Sequence, residues 1–259
     1  MGPTPGPAEE DRPAVSGELS SFAGPRELAE SAAELLAQTA ARAVRETEAF
    51  RLVLSGGNTP RALYARLAEQ PFASRIPWGQ VQVYWGDERF VPPQHEQSNY
   101  RLAAETLLAR VPVSADHVHP IPTEAASPEQ AALAYAGTLR ALAAEQGRSP
   151  PRFDLVLLGL GSDGHTASLF PGGPECAERE RWCVASRAPE GAAVRERITL
   201  TLPVLNAARC VLFLVSGIEK KQILQKVLRS APGEERRYPA QLVHPAGELL
   251  WLADFTIDR

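Results

Sequence analysis

The stretch that decides the fold is Phe153-Asp154-Leu155-Val156-Leu157-Leu158, which continues directly into Gly159-Leu160-Gly161-Ser162-Asp163-Gly164-His165. The first half is an almost wholly apolar run of strand length, as expected of a strand buried on both faces in a parallel sheet. The second half is rich in glycine and polar side chains and is typical of a loop. In α/β proteins ligands bind beyond the carboxyl ends of such strands, so this loop is expected to carry a site.

The same alternation of elements extends along the chain on both sides of this stretch. Further strands are predicted at 50–54, 81–85, 197–202, 210–215 and 249–252. Helices are predicted at 26–48, 59–67, 98–108, 128–145 and 219–228. This order indicates an α/β fold with a mainly parallel sheet, and site residues should cluster in the loops after residues 54, 85, 158 and 215.

Proline-rich residues 1–22 are expected to be a flexible tail, and residues 23–259 a single α/β domain. The 259 residues carry a formal charge of −4, which argues against nucleic acid as a partner. Three cysteines without metal-type spacing fit a reducing compartment, so a cytoplasmic location is expected. No apolar run is long enough to cross a membrane, and the sequence does not specify a protein partner.

The loop that ends in His165 carries the strongest chemical signal. An imidazole titrates near neutral pH and suits the work of a general base. Asp163, two residues earlier, is placed to hold the ring and fix its tautomer. A lone histidine is more often structural, but an aspartate and two glycines at the end of a buried strand favour catalysis. Nothing around Ser168 resembles a strained nucleophile elbow, so no serine nucleophile is expected.

The segment Ser55-Gly56-Gly57-Asn58-Thr59-Pro60 is a candidate phosphate loop. Its two glycines let the backbone approach an anion closely, and the helix that follows adds positive potential at its N-terminus. The hydroxyls of Ser55 and Thr59 are further donors, with Thr59 predicted as N-cap and Pro60 as the first helical residue. A glycine-rich turn with an ordinary cap explains the same residues equally well.

Three basic residues are candidate anion contacts. Arg89 ends Gly86-Asp87-Glu88-Arg89 and offers a planar fork of donors, which Asp87 or Glu88 is able to orient unless one of them acts as a base. Lys220 lies in the first turn of a predicted helix, and Arg197 begins a predicted strand. Taken singly, each is better explained as a surface charge. His117-Val118-His119 lacks local partner ligands, so no metal site is expected.

Several motifs together resemble the 6-phosphogluconolactonases of the glucosamine-6-phosphate isomerase/6-phosphogluconolactonase family. They occur in consistent order over roughly residues 20–255. The motifs are Ser55-Gly56-Gly57, Gly86-Asp87-Glu88-Arg89, Ser98-Asn99-Tyr100, the run from Asp163-Gly164-His165 to Phe170-Pro171, and Arg197-Ile198-Thr199-Leu200-Thr201-Leu202-Pro203. The resemblance implies a mainly parallel, Rossmann-like sheet flanked by helices, similar to the glucosamine-6-phosphate deaminase scaffold.

The resemblance also implies an activity, the hydrolysis of 6-phospho-D-glucono-1,5-lactone to 6-phospho-D-gluconate, the second step of the oxidative pentose phosphate pathway. No cofactor or metal is implied. The matching residues would be His165 as base, Arg89 and Lys220 as phosphate contacts, and Arg197 as a further substrate contact; Asn99 is another candidate contact. Backbone N–H groups near 164–166 are expected to stabilise the oxyanion.

Two other functions are weighed against hydrolysis. Glucosamine-6-phosphate deaminases and isomerases resemble the same scaffold, but an Ile-Ala-Phe-Asn-Glu run follows their histidine, whereas Thr166-Ala167-Ser168-Leu169-Phe170 follows here. This departure disfavours deamination. A non-catalytic sugar-phosphate sensor should carry a DNA-binding helix-turn-helix, and the segment before Glu18 is too short and proline-rich for one.

Overall fold

The computed structural model describes residues 17–229 and 238–257, which form ten strands and seven α-helices. The strands are β1 Glu18–Ser21, β2 Phe50–Leu54, β3 Val81–Trp85, β4 Asp87–Arg89, β5 Val118–His119, β6 Leu155–Gly159, β7 Cys183–Arg187, β8 Glu196–Leu200, β9 Cys210–Val215 and β10 Glu248–Ala253. The helices are α1 Pro25–Thr47, α2 Asn58–Leu67, α3 Phe72–Arg75, α4 Asn99–Thr106, α5 Pro128–Glu145, α6 Leu202–Asn206 and α7 Lys221–Leu228.

The main sheet has seven strands in the order β1-β10-β9-β6-β2-β3-β5, and every neighbouring pair is parallel. This confirms the predicted α/β fold. All residues of β2 and β9 are buried, as expected of central strands covered on both faces. From β2 the chain continues to β3 on one side, whereas from β6 it continues to β9 on the other. The loops after β2 and β6 therefore diverge and leave a crevice.

The central strand β6 is shorter than the predicted 153–158. Asp154 is buried just before it, and its carboxylate accepts the backbone N–H of Arg51 at 2.8 Å. The guanidinium of Arg209 lies 3.2 Å from the other carboxylate oxygen. These contacts occupy Asp154 at the amino end of the sheet, and the regular ladder begins only at Leu155.

A second, antiparallel sheet of order β4-β8-β7 was not predicted. Residues 86–89 were expected to form a loop, and residues 197–202 a further strand. Instead, the N–H of Gly86 donates to the Leu54 carbonyl at the end of β2, and the Gly86 carbonyl accepts the N–H of Leu200. Gly86 thus joins the two sheets, and the chain continues as β4 against β8.

Most helix boundaries agree with the sequence predictions. The observed α1 and α5 lie within one residue of the predicted helices, and the Ser98 hydroxyl caps α4 by accepting the N–H of Arg101. The predicted cap at Thr59 is wrong. Gly57, at φ 107°, is the N-cap of α2, so Thr59 lies within the first turn. Within the described part of the chain, no helix is long and apolar enough to span a membrane.

The predicted tail of residues 1–22 is wrong for its last part. Residues 18–21 form β1, which extends the main sheet by pairing parallel with β10. Leu19, opposite Trp251, packs against the core, and Gly17 lies so close to the Trp251 ring that a Cβ would clash. Pairing with β10 and the packing of Leu19 outweigh the polar composition around this strand. Residues 1–16 lie outside the described residues.

Two buried tyrosine hydroxyls hold the ends of the strands that lead into the predicted loops. The Tyr64 hydroxyl accepts the N–H of Ser55 at 3.0 Å and donates to the Ser55 carbonyl at 2.7 Å. The Tyr135 hydroxyl accepts the N–H of Trp85 at 2.9 Å and donates to the Trp85 carbonyl at 3.2 Å. Each hydroxyl satisfies two backbone groups that no neighbouring strand pairs at that point, and so fixes where the chain leaves the sheet.

The variant Tyr135→Phe tests this role. It leaves a buried N–H and carbonyl of Trp85 without their partner, so we expect unfolding free energy to fall by about 1–3 kcal/mol, measured by urea denaturation. Tyr84→Phe is the matched control, because the Tyr84 hydroxyl meets only the half-buried side chain of Gln82. Equal losses in the two variants would contradict the proposed role of Tyr135.

Candidate active site

The four predicted loops line one cleft at the carboxyl edge of the main sheet. The cleft has a volume of about 520 Å³, and the strands that lead into it, β9, β6, β2 and β3, are consecutive in the sheet. The ten residues proposed from the sequence as catalytic or substrate-binding all line it, namely Ser55, Gly56, Gly57, Thr59, Arg89, Asn99, Asp163, His165, Arg197 and Lys220. The prediction that these loops converge is therefore confirmed.

The side chains of His165 and Asp163 are in direct contact. The Nδ1 atom of His165 lies 2.6 Å from Oδ1 of Asp163, and the backbone N–H of His165 donates to the same oxygen at 3.1 Å. An ionised carboxylate only accepts, so this contact places a proton on Nδ1 and leaves Nε2 as the basic nitrogen. Both side chains are partly exposed, at 35% and 39%, so solvent reaches the ring.

The environment of Asp163 keeps it ionised. Partial burial by itself would raise the pKa of this carboxyl, but the hydrogen bond from His165, the histidine charge and backbone donors together lower the pKa. The ring of His165 also packs against Phe170, with centroids 4.9 Å apart. The imidazole is therefore held by a charge on one nitrogen and by an aromatic contact on its face.

The backbone of this loop is folded tightly around the ring. A Cβ at Gly161 would lie 2.1 Å from the His165 Nδ1 atom, so only glycine fits there. The N–H of Gly161 donates to the His165 carbonyl, and the N–H of Gly164 donates to the Gly161 carbonyl. Because the N–H groups of Gly164 and His165 are both engaged within the loop, the expected oxyanion donors at these two positions are wrong.

Two arginines are adjacent on the second sheet. Arg89 and Arg197 are register partners across β4 and β8. Burial lowers the pKa of the Arg197 guanidinium, and the charge of Arg89 lowers the pKa further. The Nε atoms of both residues are buried without a hydrogen-bond partner among the described residues. Two like charges with unused donors at one wall favour the binding of an anion.

Lys220 adds a third cation to the lining of the cleft, and we call Arg89, Arg197 and Lys220 together the cationic wall. Its Nζ atom donates to the Leu160 carbonyl at 2.9 Å, so the ammonium is held beside the loop that carries His165. The turn before it depends on Asp254, whose carboxylate accepts the Ser216 hydroxyl and, at 2.9 Å, the N–H of Gly217. Asp254 was not predicted from the sequence. Only its position just after the last predicted strand could have indicated that it lies near the site.

Glu88 does not have the role considered from the sequence. Its buried carboxylate accepts the backbone N–H groups of Asn99 and Tyr100 at the start of α4, each at 2.8 Å. It also accepts the N–H of Arg89, but it does not hold that guanidinium, which donates to the Gln97 carbonyl. Burial raises the pKa of Glu88, against the opposing effect of these donors. Glu88 therefore anchors the helix that carries Asn99.

Asp87 and Ser168 form a buried hydrogen-bonded pair that was not predicted from the sequence. The Ser168 hydroxyl donates to the Asp87 carboxylate at 2.6 Å. The side-chain amide of Asn99 donates to the Asp87 carbonyl at 2.9 Å. The side-chain oxygen of Asn99 faces Gly56, where a Cβ atom would lie only 1.8 Å from that oxygen. The β4 strand, the histidine loop and the Ser55-Gly56-Gly57 loop are thus joined under the cleft.

The remaining histidine pair is not part of this site. His119 lies on β5 and stacks on Tyr84, with ring centroids 4.5 Å apart. Burial lowers the pKa of His119, and His117 lowers it further. Over residues 17–229 and 238–257, no group of three or more His, Cys, Asp or Glu side chains is arranged to hold a metal ion.

The chain matches a family of known proteins. Residues 23–251 match the profile of a family described as glucosamine-6-phosphate isomerases/6-phosphogluconolactonase. The chain belongs to this family. A 6-phosphogluconolactonase from Synechocystis sp. is 41% identical over 213 residues, which cover 82% of this chain and 85% of that protein.

Solved structures agree with this family membership. The 6-phosphogluconolactonase of Trypanosoma brucei superposes with a TM-score of 0.80 at 31% identity, covering 92% of this chain and 96% of the other. A monomeric glucosamine-6-phosphate deaminase has a TM-score of 0.76 at 19% identity, over 92% and 97% of the two chains. At that identity the second likeness concerns the fold alone, and it confirms the predicted deaminase-like scaffold.

The contact between Ser168 and Asp87 generates a prediction. Ser168→Ala removes a donor from a buried carboxylate, and we expect unfolding free energy to fall by about 1–3 kcal/mol in chemical denaturation. Ser162→Ala is the matched control, because Ser162 is exposed in the same loop and surface substitutions usually change stability by less than about 0.5 kcal/mol. A neutral Ser168→Ala would show that Asp87 does not depend on this hydroxyl.

Proposed function

We propose that this chain hydrolyses 6-phospho-D-glucono-1,5-lactone to 6-phospho-D-gluconate, with His165 as the general base. The proposal rests chiefly on the contact of 2.6 Å between His165 and Asp163 in a cleft that also holds Arg89, Arg197 and Lys220. A base and a group of cations in one cleft suit a neutral ester with an anionic tail. The names of the relatives reported above point to the same substrate.

In this proposal the phosphate lies against the cationic wall. The unpartnered Nε atoms of Arg89 and Arg197 have donors to offer, and a dianion relieves the repulsion between the two guanidinium groups. Lys220 and the backbone of Ser55-Gly56-Gly57, at the start of α2, add positive potential to the same cleft. Local groups must supply this attraction, because the chain as a whole carries a net charge of −4.

Anchoring the phosphate would present the carbonyl carbon, C1, to a water activated by His165. The Nε2 atom takes a proton from the water as its oxygen attacks C1, and Asp163 stabilises the resulting imidazolium. The tetrahedral intermediate then expels the ring oxygen, which receives that proton from His165. The product carries a new hydroxyl and a new carboxylic acid, which gives the carboxylate by losing its remaining proton to solvent. No covalent intermediate is needed, because a lactone is already an activated ester.

Charge on the tetrahedral oxygen has to be stabilised by groups other than the N–H of Gly164 and of His165. We assign this role to the positive potential beside the histidine loop, where the ammonium of Lys220 is held. We also place the enzyme in the cytoplasm, because the free cysteines Cys176, Cys183 and Cys210 fit a reducing compartment.

The proposed function is tested by following freshly generated 6-phosphogluconolactone in a stopped assay corrected for spontaneous opening. We expect hydrolysis well above the uncatalysed rate. The same preparation is assayed for ammonia release from glucosamine 6-phosphate, which the deaminase alternative requires. Ammonia release without lactone hydrolysis would overturn the proposal.

Replacing the base tests the role of His165. We expect His165→Ala to lower kcat by at least about a hundredfold, since general-base catalysis contributes that much or more, while the affinity for 6-phosphogluconate in calorimetry changes little. The control is His117→Ala, which removes an imidazole that does not line the cleft. A near-normal kcat for His165→Ala would rule out this base.

Replacing one arginine tests the phosphate site. We expect Arg197→Met to lower kcat/KM for the phosphorylated lactone by about tenfold to a hundredfold, because a hydrogen bond to a charged group contributes about 1.5–3 kcal/mol. Hydrolysis of unphosphorylated glucono-1,5-lactone should change far less. Arg187→Met, an exposed arginine on neighbouring β7, is the matched control. Equal losses on both lactones would remove Arg197 from the phosphate site.

A further inference from the structure

A tyrosine outside the cleft lies directly on the loop that carries the base. Gly164, between Asp163 and His165, has φ +82°. A Cβ built on it would lie 2.5 Å from the Tyr238 Cδ1 atom and 2.8 Å from Cβ and Cγ of the same residue. The side chain of Tyr238 therefore lies against Gly164 and occupies the space that a Cβ there would need. Tyr238 is not among the described residues that line the cleft, and its contact with Gly164 links it to the loop that carries His165.

Backbone and side-chain hydrogen bonds fasten the same segment to its surroundings. The N–H of Ala240 donates to the Gly164 carbonyl at 3.2 Å. The N–H of Tyr238 donates to the side chain of Gln241, whose amide in turn donates to the Lys226 carbonyl at 3.3 Å, near the end of α7. Gln241 is only 3% exposed. We call residues 238–241 the clamp: it links α7 to the histidine loop.

We propose that Tyr238 is a positioning residue, which keeps His165 against Asp163 by immobilising Gly164. This inference rests on the proposed function of His165. Glycine has the widest backbone freedom of any residue, and a rotation at Gly164 would change the direction of His165 relative to Asp163. The Tyr238 side chain and the hydrogen bond from Ala240 together remove that freedom. The contact uses the ring and Cβ, so the hydroxyl is not needed for it.

The expected effect is on kcat rather than on binding. A misplacement of about 1 Å remote from the chemistry can cost about a hundredfold in rate. Loss of the ring in Tyr238→Ala should therefore lower kcat by about tenfold to a hundredfold. The cations of the cleft do not contact Tyr238, so the dissociation constant of 6-phosphogluconate should stay within about threefold of that of the unaltered protein, a difference under about 0.7 kcal/mol.

The experiment compares Tyr238→Ala with Tyr238→Phe and Leu242→Ala. Tyr238→Phe keeps the ring and should restore kcat. Leu242→Ala removes an apolar side chain packed against the core just beyond the clamp, and should leave kcat near that of the unaltered protein. For each protein, kcat and KM are measured, product binding is followed by calorimetry, and the proton on His165 Nδ1 is followed by its downfield NMR resonance. Tyr238→Ala should lose or broaden that resonance, and Tyr238→Phe should keep it.

Each outcome is decisive. A lower kcat in Tyr238→Ala, with product binding retained and the resonance lost, supports the positioning role. Unchanged kcat in Tyr238→Ala overturns it. So does a loss of kcat that Leu242→Ala reproduces, or one in which the His165–Asp163 resonance persists, because the role is then merely structural. Failure of the proposed function is distinguishable, since the unaltered protein would then lack lactonase activity before any substitution.

Discussion

The site depends on the pairing of β2 with β6 in the centre of the main sheet. The two strands are parallel neighbours, with Leu52 opposite Leu155 and Val53 opposite Val156. Their chains then leave in opposite directions, so no crossover covers the space between their carboxyl ends. That space becomes the floor of the cleft, with Ser55-Gly56-Gly57 on one side and the His165 loop on the other. Burial of both strands makes a change of register costly, since it would expose apolar side chains.

The second sheet adds what the first one cannot supply. A parallel sheet places one loop at each strand end, but it does not bring two long cationic side chains side by side. The antiparallel pairing of β4 with β8 does so, because Arg89 and Arg197 are direct partners in register. Burial lowers the pKa of the Arg197 guanidinium, and the neighbouring charge of Arg89 lowers it further. An anion with two or more charged oxygens relieves the repulsion between the two guanidinium groups, which links binding to the architecture.

Much of the fold and most of the site were predictable because their signals are local. The alternation of predicted strands with predicted helices gave β2, β3 and β9 the same bounds as those observed. Ligands bind beyond the carboxyl ends of parallel strands, and this rule predicted that four loops distant in the sequence would line one cleft. The contacts that escaped prediction depend on long-range pairing. No local pattern indicates that Gly86 turns the chain into a second sheet, or that Asp254 fixes the turn before Lys220. Thr59 was misjudged as a cap because the positive φ of Gly57 is a property of the folded turn.

The proposed hydrolysis depends most on how the ligand is oriented between the cationic wall and the imidazole of His165. A crystal structure with bound 6-phosphogluconate measures that orientation directly. We expect phosphate oxygens within hydrogen-bond distance of Arg197 and Lys220, and the C1 carboxylate next to the Nε2 atom of His165. A ligand bound the other way round, with its phosphate at the imidazole, or one bound outside the crevice between β2 and β6, would contradict it.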